Sequence, residues 1–274
     1  MSNSHAPGAP SPAPIWLDEV DSTNRWVRDR FFDLPDGVLV AARNQTAGRG
    51  RLGRRWVAPP GVNLTVTARV ERVADGFHAG MILGLAALDM VRAAAPEVDP
   101  FLKWPNDLYL GLGKLGGLLC EGVPSGGRIA GVAAGIGINV NMTAEELASL
   151  DRPGASLRAA TGRIFPLEKL LDELAKCFTR WYIIYHGNRG EVTAAWRREN
   201  RLLGRPVAVT DPKGKCWRGV FSDIAPDGAL VMRLPDGETR RFDCGDVSLS
   251  RESLCGIVPD GSEIFNQSQG GAIK

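Results

Sequence analysis

The sequence lacks the residue patterns on which several common chemistries depend. Its five cysteines (Cys120, Cys177, Cys216, Cys244 and Cys255) form no C-x-x-C pair and no metal-finger spacing. An odd, unpatterned set points to a reducing compartment, with thiols serving as small hydrophobes. The three histidines, His5, His78 and His186, are too scattered for a metal motif or a nucleophile–base pair. The most apolar stretch, Ala79 to Leu88, is too short to span a bilayer and is followed by Asp89 and Arg92. Residues Met1 to Pro14 are rich in Pro, Ala, Ser and Gly, without the basic cluster and apolar core of a secretory signal. These absences predict a soluble, cytoplasmic protein with no membrane segment.

Acidic residues are missing from one long stretch. Between Gly37 and Val70 there is no Asp or Glu, but there are six arginines: Arg43, Arg49, Arg51, Arg54, Arg55 and Arg69. The whole chain is only +2, so the remainder is net acidic. Positive charge is concentrated in one segment, as a site for a compact anion requires. Composition is otherwise that of an ordinary globular protein, and 274 residues suffice for one larger and one smaller domain.

Patterning divides the chain. Residues 1–14 read as a disordered leader, 15–203 as a larger α+β unit, 204–256 as a small β-barrel and 257–274 as a flexible tail. In the larger unit the spacing predicts a helix over 25–32 and a strand over 38–42. Leu64, Val66, Ala68 and Val70 alternate with polar partners, as in a half-buried strand. Residues 80–95 are apolar all round and read as a buried helix. Three antiparallel runs with tight turns follow at 108–110, 115–123 and 129–140. Helices are expected at 143–150, 166–186 (with Pro166 in its first turn) and 189–201. From Arg205 onward, short β runs at 206–210, 216–223, 229–234, 239–243 and 247–250 alternate with turns such as Pro226-Asp227-Gly228.

Four segments carry chemistry. In Gly48-Arg49-Gly50-Arg51-Leu52-Gly53-Arg54-Arg55-Trp56, glycines let backbone amides approach an anion and guanidiniums offer forked, charge-assisted bonds. Such a loop also suits a nucleic acid. Lys103-Trp104-Pro105-Asn106-Asp107 precedes Lys114-Leu115-Gly116-Gly117 across a hairpin that can bring Asp107 and Lys114 together, either as a site or as a plain salt bridge. The glycines within Gly131 to Asn141 weaken a strand unless something lies close to its backbone; a kinked core strand is the other reading. Asp21-Ser22-Thr23-Asn24 offers hydroxyl and amide groups at a helix start, where ordinary capping competes with ligand contact.

Taken in order, these segments resemble the biotin protein ligase family. The motifs are Asp21-Ser22-Thr23-Asn24, Gln45 with the Gly48 to Trp56 loop, Lys103 to Tyr109, Lys114 to Gly117 and Gly135 to Asn141. Ala155 to Arg158 and Gly245 to Leu249 also look like family features. The resemblance implies a class II aminoacyl-tRNA-synthetase-like catalytic domain with a mixed, largely antiparallel sheet, then a small SH3-like barrel. It implies biotin and ATP as substrates, with Mg²⁺ held mainly by phosphates and water, no metal being assigned to protein side chains. Ser22, Thr23, Asn24 and Gln45 would hold the bicyclic head of biotin. Arg49, Gly50, Arg51 and Lys114 would hold its carboxylate and the nucleotide phosphates, with Gly116 and Gly117 allowing close passage. Arg54, Trp56, Lys103, Asn106 and Asn139 would lie on the nucleotide side, and Asp107 would place the acceptor lysine.

The implied partner is the biotin carboxyl carrier domain of a carboxylase, and a homodimer is compatible with the family. The short stretch before the first motif leaves no room for a winged helix, so specific DNA binding is not expected. A lipoate-type protein ligase and a non-enzymatic nucleic-acid-binding module are the alternatives.

Overall fold

Twelve strands, among residues 12–248 that a computed structural model describes, sort into two sheets. The expected tail, Cys255, most of the leader and the end of the last β run lie outside the described residues. The first sheet contains β1 (Ile15–Val20), β2 (Leu39–Gln45), β3 (Leu64–Val70), β4 (Pro100–Lys103), β5 (Asp107–Leu110), β6 (Gly113–Ser125) and β7 (Arg128–Ile138). Its order is β1-β2-β3-β7-β6-β5-β4, antiparallel throughout except for the parallel β1–β2 pair. This is the mixed, largely antiparallel sheet the sequence implied. Gly126 and Gly127 take φ of 55° and 77° in the tight β6–β7 turn, a backbone region glycine enters at no steric cost.

Strand alternation feeds two apolar layers. Leu39 and Ala41 join a core with α2 (Gly76–Ala94) and α5 (Leu167–Gly187), while Val38 and Val40 pack with Val27 and Phe31 on the opposite side. Val27 belongs to α1 (Thr23–Asp29), which therefore lies across the other sheet face. Three further helices complete the unit: α3 (Ala144–Ala148) and α4 (Leu157–Thr161) flank a segment that bonds Lys114 and the end of β7, and α6 (Arg189–Glu199) packs against α2 and α5. The second helix has the length and composition to cross a bilayer, but it is the sheet's main packing partner: Met81, Ile82, Leu83 and Leu88 are wholly buried. Each such side chain contributes about 1.5–3 kcal/mol on burial.

Several sequence expectations shift, among them the first helix, which spans Thr23–Asp29 and not 25–32. The second helix begins at Gly76, four residues early, because Asp75 accepts a bond from the His78 amide and caps it. Strand β3 is buried along its whole length and not half-buried, because α1 covers the face that carries Thr65 and Thr67. Helix α4 was not expected: five residues show no period, and only Ser156, which accepts from the Ala159 amide, marks its start.

The second sheet contains β8 (Pro206–Thr210), β9 (Cys216–Ile224), β10 (Leu230–Arg233), β11 (Thr239–Phe242) and β12 (Asp246–Ser248), all antiparallel, with β11 and β12 at its edges. It packs closely on the first unit. Trp104 Nε1 donates to the Gly228 carbonyl at 2.8 Å, and Arg197 Nε donates to the Ile224 carbonyl at 2.9 Å. Gly228 has φ of 92°, and a Cβ there would sit 2.0 Å from the Phe77 ring. Gly228→Ala is therefore expected to lower stability by about 2–3 kcal/mol, measured by chemical denaturation. A change below about 0.5 kcal/mol, the range of ordinary surface substitutions, would show that this contact does not bind the two units.

Candidate active site

The motifs converge on the α1 face of the first sheet. Ser22 occupies the N-cap position of α1, yet its side chain makes no cap bond, so the capping explanation of this segment fails there. Gln45, at the end of β2, accepts at Oε1 from the Thr23 amide (2.8 Å) and the Thr23 hydroxyl (3.1 Å). Thr67 on β3 lies 2.8 Å from the Thr23 oxygen and donates to Asn24 Oδ1 at 2.7 Å. Asn24 Nδ2 donates to the Leu119 carbonyl (2.9 Å) and to Glu121 Oε2 (3.0 Å). All of Ser22, Thr23, Asn24 and Thr67 are at most 4% exposed. Thr23, Asn24 and Thr67, buried and paired in this way, hold one geometry.

Bare backbone makes room for them. A Cβ on Gly135 would fall 2.1 Å from Asn24 Oδ1, and one on Gly137 would fall 2.3 Å from the Trp56 ring. The glycine strand thus carries close contacts and is not merely kinked. A Cβ on Gly116 would meet the Gly137 carbonyl at 2.7 Å, and one on Gly117 would meet the Lys114 ammonium at 2.9 Å.

The arginine segment, expected as a plain loop, is pinned: an Arg49–Arg55 bridge closes it, and Arg51–Gly53 form a single 3-10 turn. Its arginines reach three different supports. Arg49 pairs with Glu121 on β6 (3.1 Å), Arg51 with Asn106 Oδ1 (2.7 Å) and Arg54 with Asp246 on β12 (2.6 Å). Trp56 lies over Gly137 with its ring N–H buried and without a hydrogen-bond partner.

Across the cavity, Asp107 is flanked by two ammonium groups, Lys114 at 2.6 Å and Lys103 at 3.6 Å. Lys114 Nζ sits directly against Asp107 Oδ1, and the carboxylate is only 13% exposed. The hairpin therefore does bring Asp107 and Lys114 together as an ion pair.

The cavity between these groups measures about 60 Å³ and is lined by Ser22, Thr23, Asn24, Gln45, Arg49, Gly50, Arg51, Trp56, Asn106, Lys114 and Gly117 of the expected set. It is far below the roughly 300 Å³ of a small-molecule pocket, so a ligand of that size enters only when the loop moves. Five expected residues do not line it. Arg54 turns toward Asp246, Gly116 packs on β7, and Lys103 and Asp107 lie behind Lys114. Asn139 is buried, taking a bond from Asn63 Nδ2 and reaching the Lys114 carbonyl, each at 3.3 Å.

Sequence reading singled out the strand holding Gly135, Ile136 and Gly137 without assigning them a role, and it missed Thr65, Val66, Leu118 and Leu119 among the lining residues and Thr67 and Glu121 beside them. Two signals were present: the polar positions of β3 opposite its apolar ones, and a lone acid in the apolar run 115–123.

Charges around the site are set by burial and by one another. Burial lowers the Lys103 ammonium below 10.5, against the opposing pull of Asp107, and Lys114 adds to the fall. Burial pushes the Asp246 carboxyl up, but the Arg54 hydrogen bond and the charges of Arg54, Arg152 and Lys103 outweigh it and hold the group below 3.8. Burial raises the Cys120 thiol, which sits behind β6, to about 12, so it is no nucleophile at neutral pH. Among the described residues, no group of three or more His, Cys, Asp or Glu could hold a metal ion.

Known proteins are similar to this chain in sequence and fold. Residues 16–139 match the biotin/lipoate A/B protein ligase family, and residues 202–250 match the biotin protein ligase C-terminal domain. The biotin–[acetyl-CoA-carboxylase] ligase of Paracoccus denitrificans is 34% identical over 230 residues, 81% of this chain and 94% of that one. The ligase of the same name from Mycobacterium tuberculosis is 33% identical over 77% of this chain and 79% of its own length. The structure of biotin protein ligase from Aquifex aeolicus in complex with biotin and ATP superposes with a TM-score of 0.72 at 25% identity, covering 87% of this chain and 98% of that one.

Lys103 allows a test of the local electrostatics. A lysine with a lowered folded pKa costs stability in full below that value, and the cost vanishes as pH rises to 10.5, where the unfolded chain also loses its proton. Lys114, nearer to Asp107, remains as counter-charge when Lys103 is removed. Lys103→Met is thus expected to stabilise the fold by about 1 kcal/mol near neutral pH. The gain should shrink as pH climbs toward 10.5, followed by denaturation at several pH values. A pH-independent difference, or a loss of stability, would contradict this account.

Proposed function

The chain belongs to the biotin/lipoate A/B protein ligase family, and from this membership we infer its reaction: it is an ATP-dependent biotin protein ligase. It joins biotin to AMP with release of pyrophosphate, then passes the biotinyl group to a lysine amine and releases AMP. The acceptor we propose is the biotin carboxyl carrier domain of a carboxylase, in keeping with the names of the relatives.

The observation that carries this reading is a cavity polar and neutral at one end and cationic at the other. At the neutral end, Thr23 occupies Gln45 Oε1, which leaves the Gln45 amide N–H groups and the uncapped Ser22 hydroxyl for a ureido group. Asn24, locked by Thr67, Leu119 and Glu121, would fix the shape of that end. Val66, Leu118 and Ile136 would enclose an alkyl chain. At the cationic end Arg51 and Lys114 converge, with Gly50 and Gly117 letting backbone come close.

Two anions must meet there. A biotin carboxylate oxygen attacks the α-phosphorus of ATP, and pyrophosphate leaves with the bonding electrons. Carboxylate and triphosphate repel each other, so the protein's task is neutralisation and alignment by Arg51 and Lys114. Mg²⁺ would arrive with ATP, bound by phosphates and water. Trp56 offers a flat face and a spare ring N–H near the adenine. Asn139 would act from behind, through the Lys114 carbonyl, and Arg54 from the side of the second sheet.

In the second step the acceptor amine attacks the acyl carbon and AMP departs. A free lysine has a pKa near 10.4 and a free Asp near 3.9, so Asp107 is a poor base. Held between Lys114 and Lys103, its carboxylate would instead act electrostatically, orienting the incoming ammonium before the proton is lost.

The test is incubation with ATP, Mg²⁺, labelled biotin and a carrier domain. Label should pass to the carrier, and Lys114→Ala should reduce the rate by about 10²–10³-fold. A folded parent protein that transfers no label would overturn the assignment.

A further inference from the structure

Glu121 is the one acid on the apolar side of β6 that faces α1, and three donors converge on it. Its Oε2 accepts from Asn24 Nδ2 at 3.0 Å; its Oε1 accepts from Arg28 Nη1 at 3.0 Å and from Arg49 Nη1 at 3.1 Å. The side chain is only 16% exposed. Asn24 and Arg28 are four residues apart on α1, so they share a helix face and hold the carboxylate whatever the loop does. Arg49 comes from the loop and crosses the cavity mouth to reach it.

The other two arginine supports differ in kind. Asn106 is uncharged, so a phosphate can take its place beside Arg51. Asp246 belongs to the second sheet and does not border the cavity. Leu52, next to Arg51, holds φ of 56°, a left-handed conformation uncommon for a residue with a Cβ. That local backbone strain favours release of the loop unless other contacts hold it.

We propose that Glu121 is a positioning residue, the catch that closes residues 46–57 through Arg49 and so decides how long the acyl-adenylate is shielded. The idea rests on the ligase reading above. Arg49 serves this contact first, and the anions fall to Arg51 and Lys114. When the catch fails, water adds to the acyl carbon and the acyl–phosphate C–O bond breaks. AMP leaves with the electron pair, and biotin is regenerated without transfer.

Two readouts on the full chain test this. With biotin, ATP and Mg²⁺ but no acceptor, Glu121→Gln should raise steady-state AMP release about fivefold, the scale of a half-exposed charged bond. Without any ligand, the amides of residues 48–56 should exchange hydrogen several-fold faster in that variant. Arg49→Gln, at a half-exposed position that does not threaten folding, should match it in both assays, and the double variant should be no worse than the worse single. An unchanged exchange rate in both single variants, or multiplying effects in the double, overturns the catch. If the parent makes no AMP, the ligase reading fails while hydrogen exchange still decides the catch.

Discussion

The site exists because β7 presents backbone where a sheet ordinarily presents side chains. Asn24 and Trp56 both press on that strand, at Gly135 and Gly137, at distances where a methyl group could not stand. Seating Asn24 there brings the start of α1 against β3 and the end of β2, which is what joins Thr23, Gln45 and Thr67 into one network. Seating Trp56 there brings the end of the arginine loop over the same strand. The neutral end of the cavity and its roof therefore depend on one absence of side chains. The instability that glycines bring to a strand is offset by neighbours on both sides, β3 and β6, each paired along most of its length.

Charge is then arranged around that frame. Cations come from the loop and from the β5–β6 hairpin, and each is matched by an acceptor: Asn106 in the cavity wall, and Glu121, Asp107 and Asp246 behind it or beyond it. Guanidinium and ammonium groups held in this way keep fixed directions before any anion arrives, so little reorganisation accompanies its arrival. Lys103 pays a desolvation cost that Asp107 only partly relieves, a sign that this corner is tuned for the charges it presents and not for stability. The second sheet joins the same arrangement through Asp246, and Trp104, between β4 and β5, ties to it through Gly228.

Much of this was legible in the residues. The antiparallel runs, their glycine turns and the long helices follow from period and turn chemistry, and Arg49, Arg51, Trp56, Asn106 and Lys114 do meet at one cavity. What escaped was long-range. Thr67 and Glu121 look like ordinary strand positions, and only the packing of α1 onto β3 and β6 gives them partners 43 and 97 positions away at Asn24. Asn139 and Lys103 sit in motifs with chemistry written into them, yet both are buried behind the residues that line the cavity. Motif membership marks a neighbourhood; the direction of a side chain depends on which neighbour fills the space beside it.

The claim at the centre is that two mutually repelling anions are brought together by cations held ready on the protein. It is tested most directly by the exchange of labelled pyrophosphate into ATP with no acceptor present. The account predicts exchange that requires biotin and that a neutral analogue lacking the carboxylate cannot support. Exchange that proceeds without biotin, or none when biotin is saturating, would contradict it.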